Sequence, residues 1–129
     1  MCIRDSYYVG HWITPEGPPR RYDTRFFATL APPGQTAAHD EVETIDHMWV
    51  TPDDALAQHD AGQIELMFPT VWNLRLLARY RTSAELVASV SGLDAVPTIE
   101  PEPAVDAQGR RQFVVPLDRD GRPDARKGT

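Results

Sequence analysis

The sequence predicts an α/β fold, a mixed sheet flanked by helices. Three observations carry that expectation. Two early segments alternate along the chain with aromatic and β-branched residues, the period of half-buried strands. A third short run of the same kind follows. Beyond residue 50 come helix-start signals and a run with a period near 3.6.

In residues 7–13, Tyr7, Val9, His11 and Ile13 fall on one side and Tyr8, Gly10 and Trp12 on the other, which predicts a strand. Residues 14–19 (TPEGPP) are rich in turn formers and break it. Residues 22–30 (YDTRFFATL) predict a second strand, ended by Pro32-Pro33-Gly34, where prolines remove ladder donors. The two strands predict an antiparallel hairpin with a long loop. Residues 35–44 are polar and acidic and predict a loop; residues 45–50 (IDHMWV) predict a third strand.

Thr51-Pro52-Asp53-Asp54 is a helix start. Thr51 caps, Pro52 suits the first helical position, and two carboxylates meet the positive end of the dipole. Gly62 closes that helix after about His59. Val71, Leu74, Leu77 and Ala78 predict a helix over 70–81, with Trp72 and Leu76 alongside. Thr82 and Glu85 form a capping-box pattern for a third helix ending before Gly92. In the tail, 98–105 and 111–117 flank Asp106-Ala107-Gln108-Gly109, which predicts a weak hairpin. Five of the twelve prolines lie in 97–129, so this tail is expected to pack loosely, leaving a compact part near 7–96. Trp12, Trp49 and Trp72 are expected as core anchors.

Composition excludes several classes. The 129 residues are about one domain. Thirteen basic against nineteen acidic residues leave a net charge of −6 and a pI near 5.1, which argues against a nucleic-acid binder held by phosphates. Mean hydropathy is −0.43 and no run of 18 apolar residues exists, so no membrane span or membrane partner is expected. No basic segment followed by an apolar run occurs before the strands, so no secretory signal is expected. One cysteine, Cys2, excludes an internal disulfide and a cysteine-based zinc site. The expectation is a soluble, cytoplasmic protein.

Charge distribution carries most of the chemistry. Between Phe26 and Leu74 there is no Lys or Arg but there are eight acids, and Arg20, Arg21 and Arg25 cluster just before. Arginine holds phosphate through paired hydrogen bonds, and carboxylates hold Mg²⁺ or Mn²⁺. Glu41 and Glu43, two apart before a predicted strand, would point the same way in extended backbone. The bland alternative is a solvated acidic face with surface arginines. Asp53 and Asp54 read as dipole partners of their helix. His39 sits in the acidic loop, where it is either near chemistry or simply a polar loop residue; His11 and His47 read as sheet residues. No phosphate-cradling, nucleophile-elbow or dinucleotide motif occurs.

At residues 12–27 (WITPEGPPRRYDTRFF) the chain resembles the Nudix hydrolases, most nearly the coenzyme A diphosphatase-like branch. There a W-x-T-P phrase precedes an R-[RK]-[FY]-D-T-x-F-F strand. The order that follows also matches: Pro33-Gly34-Gln35, His39-Asp40 with Glu41 and Glu43, Trp49-x-x-Pro52, then Leu66-x-x-Pro69-Thr70. The resemblance covers about residues 9–90 and implies a sheet sandwiched by helices. It implies hydrolysis of a nucleoside diphosphate linked to another group, CoA-like or nucleotide-sugar-like, with Mg²⁺ or Mn²⁺. Carried over by position, Arg20, Arg21 and Arg25 are substrate contacts, Glu43 a metal ligand and Glu41 a weaker one.

The family's defining box, G-x5-E-x7-R-E-U-x-E-E-x-G-U, is absent, and the chain has no Glu-Glu or Arg-Glu pair. The box normally precedes the W-x-T-P hairpin. The expectation is therefore an incomplete Nudix fold: residues 1–6 a non-family leader resembling adaptor read-through, 7–96 the C-terminal part of the domain, and 97–129 the Pro-rich tail. Its main glutamates lie outside the chain, so negligible hydrolysis is expected. An unpaired sheet edge invites association, including a homo-oligomer. Two other classes stay open: a non-catalytic nucleotide- or protein-binding module of the same fold, and a small structural domain with a solvent-facing acidic loop.

Overall fold

The structure, a computed structural model, describes residues 6–36, 38, 41–42, 46–92 and 95–117. Among them it has mixed α and β content, with three helices and two small sheets. The chain forms two compact units, Met1–Ala28 with Val90–Thr129, and Thr29–Ser89.

In the first unit, β1 (Ser6–Ile13) is the middle strand of a three-stranded sheet, between β2 (Asp23–Thr29) and β3 (Thr98–Ile99). The predicted hairpin is present. Thr14 N donates to the Tyr22 carbonyl at 2.9 Å, and Tyr8 stacks on Phe27 with ring centroids 5.3 Å apart. Partner numbers thus rise on one strand as they fall on the other, the signature of an antiparallel pair. β3 runs parallel to β1, placing Thr98 opposite His11 and Ile99 opposite Trp12. Trp12 and Ile99 on these strands and Val115 in the tail have buried apolar side chains.

The tail corrects an expectation. Its predicted strand over 98–105 is broken at Glu100-Pro101, and the two pieces join different sheets. Thr98–Ile99 enters the main sheet, while β4 (Glu102–Val105) pairs antiparallel with β5 (Arg111–Val114) around the predicted Asp106–Gly109 turn. Proline fixes φ and donates no hydrogen bond, so Pro101 ends the first ladder and lets the chain change sheets. Ile99, in the two-residue strand, is 6% exposed, whereas Val105, Phe113 and Leu117 are exposed.

In the second unit, α1 (Pro52–Asp60) starts as expected. Thr51 Oγ1 accepts from Asp54 N at 3.2 Å, and Gly62, at φ 72°, turns the chain out of the helix with its N–H on the His59 carbonyl. α1 packs on α2 (Phe68–Leu77), each burying one small side chain, Ala55 and Val71. α2 begins two residues earlier and ends four earlier than the 70–81 expected. Pro69 is tolerated in the first turn. At the other end, Arg79 N and Tyr80 N bond three residues back, to Leu76 and Leu77, tightening the last turn. Thr82 then opens α3 (Ser83–Ser91): its Oγ1 accepts from Glu85 N, and the Glu85 carboxylate returns to Arg81 N at 2.9 Å.

The third strand expected at 45–50 is not there. Ile45 lies outside the described residues, and 46–50 are irregular and exposed. β-branched and aromatic residues favour a strand only where a neighbour and a buried face exist. Here Asp46 instead accepts from His47 N at 2.7 Å, a local bond that competes with ladder pairing.

Candidate functional site

The loop between β1 and β2 is locked by the residues that carry the family-like phrase. Trp12 is 3% exposed and Pro15 is buried. Thr14 makes three bonds: its N–H to the Tyr22 carbonyl, its hydroxyl oxygen from Tyr22 N at 3.0 Å, and its carbonyl from Arg21 Nε at 2.8 Å. Gly17 takes φ 125°, a region closed to side-chain-bearing residues, where the loop reverses.

The three candidate arginines therefore play different parts. Arg21 is committed to the fold, with a second bond to Glu100 Oε1 at 2.9 Å. That pair is exposed, so its own contribution to stability is small, about 0.5 kcal/mol. Arg25 lies 3.3 Å from Asp23 Oδ1, on the same face of β2, at a surface position where a phosphate could compete. Arg20 is exposed on the loop with no ion pair or hydrogen bond to the described residues. An uncommitted guanidinium keeps all five donors for an anion.

The acidic candidates are less well served. Glu43 and His39 lie outside the described residues. Glu41 is exposed in a bend at φ 62°, so the extended backbone that would align it with Glu43 is absent at that residue. Among the described residues no group of three or more His, Cys, Asp or Glu side chains is arranged to hold a metal ion.

Sequence reasoning missed one constellation. His11, expected only as a sheet residue, ties all three strands of its sheet. Its Nε2 lies 2.6 Å from Asp23 Oδ1 on β2 and its Nδ1 lies 2.8 Å from Thr98 Oγ1 on β3. A carboxylate can only accept, so Nε2 carries the proton, and in the neutral ring Nδ1 accepts from the threonine hydroxyl. The ring is 13% exposed. The 87 residues between His11 and Thr98 hide this contact from any local reading.

The tryptophans also divide. Trp12 is a core anchor as expected, and Trp72 is half-buried, edge-on to Phe68 with the Arg75 guanidinium 5.4 Å from its ring. Trp49 is 75% exposed and lines an open pocket, contrary to expectation. With the third strand absent, nothing holds it against a sheet.

No family model, curated protein or solved structure matches the chain. No described helix is long and apolar enough to cross a membrane.

Proposed function

We propose that this chain is the C-terminal portion of a Nudix-type pyrophosphohydrolase, an incomplete Nudix fold that holds a nucleoside diphosphate derivative without cleaving it. Arg20 and Arg25 are its phosphate contacts, and Arg21 sets the loop that presents them. The observation that carries this reading is the β1–β2 hairpin. Trp12, Thr14, Pro15 and Arg21 of the family-like phrase are used in holding its loop, which leaves Arg20 uncommitted at the surface. Cleavage, on this reading, belongs to glutamates outside the chain. A cytoplasmic setting suits a chain with one cysteine, which stays reduced there. Self-association fits the exposed Tyr22 and Phe27 at the β2 edge.

Titration of the ¹⁵N-labelled chain with ADP tests it. The expected result is saturable amide shifts over residues 16–25, with affinity falling about tenfold in Arg20→Ala, the loss of one charge-assisted pair. No shift at millimolar ADP overturns the reading. Phosphorus NMR of the chain with coenzyme A and Mn²⁺ should show no product; rapid cleavage would overturn the division of labour.

A further inference from the structure

We propose that the pocket at the start of α1 binds an arginine side chain of a partner polypeptide. This goes beyond the diphosphate reading, and it uses none of the same residues. The pocket is an open cavity of about 650 Å³ lined by Trp49, Val50, Thr51, Asp54, Ala57, Gln58 and Gln63. Four of these offer uncommitted groups. The Trp49 indole has no ring contact or hydrogen bond among the described residues. The carboxamides of Gln58 and Gln63 make no hydrogen bond to them either. Asp54 Oδ2 accepts from Thr51 Oγ1 at 2.8 Å, which leaves Oδ1 available.

Charge selects the ligand. The lining carries one carboxylate, Asp54, and no Lys or Arg, so an anion is disfavoured there and a cation favoured. The aromatic face of tryptophan is the best side chain for a cation. A guanidinium suits the lining better than an ammonium. It is planar, stacks on indole, and spreads five donors over separate acceptors: the Asp54 carboxylate and the two carboxamide oxygens. Val50 and Ala57 offer apolar surface to its methylene stem. The unit already contains one such pair, Arg75 over Trp72.

The experiment titrates the ¹⁵N-labelled full chain with N-acetyl-arginine amide and with N-acetyl-citrulline amide, its uncharged near-isostere. The arginine derivative should give saturable shifts at the Trp49 indole N–H and the backbone of 50–63, and citrulline should not. Trp49→Ala should weaken binding about fivefold, and Asp54→Asn about tenfold, with circular dichroism confirming that α1 persists. Equal response to citrulline, unchanged affinity in Trp49→Ala, or no saturable shift overturns the proposal. So does a ligand-free dimer in sedimentation that the arginine derivative dissociates, since a second copy would then be the occupant. Shifts over 16–25 with ADP report on the other reading separately, so either can fail alone.

Discussion

The strand unit and the helical unit use side-chain hydrogen bonds over very different distances along the chain. In the first, His11 reaches Thr98 across 87 residues and Arg21 reaches Glu100 across 79. In the second, the bonds of Thr51, Asn73, His59 and Tyr80 span between three and nine residues. A local bond forms as soon as its helix does. A distant one must first close a long loop and offset that entropy. Damage to the strand unit should therefore be cooperative, and damage to the helical unit local.

The largest test of that contrast is Trp12→Ala. Removing a side chain that is 3% exposed costs about 3 kcal/mol from lost burial and the cavity left behind. Amide exchange across β1, β2 and β3 should accelerate together. If only residues 10–14 respond, the strand unit is not cooperative.

His11→Ala comes next. It removes the partner of the half-buried Thr98 hydroxyl and one of two partners of the exposed Asp23, which keeps Arg25, at about 1.5 kcal/mol in all. Protection should fall in β1 and in β3, which lie far apart in sequence, and stay unchanged in α1. Loss confined to β1 would show that the imidazole does not couple the strands.

Thr51→Ala removes one cap, about 1 kcal/mol, and should fray only the first turn of α1, read as faster exchange at Asp54 and Ala55. Global loss of structure would contradict the local picture.

The smallest effect belongs to the β4–β5 turn and to pH. The Arg110 backbone N–H on Asp106 holds its carboxyl below the ordinary 3.8, against an opposing effect of burial, with help from the Arg110 guanidinium and Gln108 N–H. A depressed carboxylate stabilises the fold above its unfolded value and loses that contribution as pH falls through the folded one. The Gln108 and Arg110 amides should therefore lose protection only on acidification below about pH 3.8, and Asp106→Asn should abolish that step. An acid step that survives the substitution would place its origin elsewhere.

Much of the helical unit was legible from sequence because its signals are short-range. Thr51-Pro52, Gly62 and the Thr82–Glu85 pair each act within one turn, and each does what its chemistry predicts. The end of α2 was not legible. Its apolar period continues past Leu77, and the tightened turn beyond it interrupts a pattern that looks unbroken. Strand signals fared differently. Residues 7–13 and 22–30 each found a partner, whereas 46–50 carries a similar alternation and stands exposed. Of the candidate site, the residue types and their clustering could be read in advance. That Arg21 is consumed by Thr14 and Glu100 while Arg20 is left over could not, because it depends on where one loop carbonyl points and on a glutamate 79 residues away.

The amino-acid order alone settled the helix starts, the glycine stops, the first hairpin and the acidic stretch without a cation, because each depends on groups a few residues apart. Only the tertiary structure decided that a two-residue strand from the Pro-rich tail completes the first sheet, that an imidazole binds its three strands, and that Trp49 faces solvent. A strand, unlike a helical turn, keeps its hydrogen-bonding partners in another part of the chain, and whether they arrive is decided by the fold as a whole.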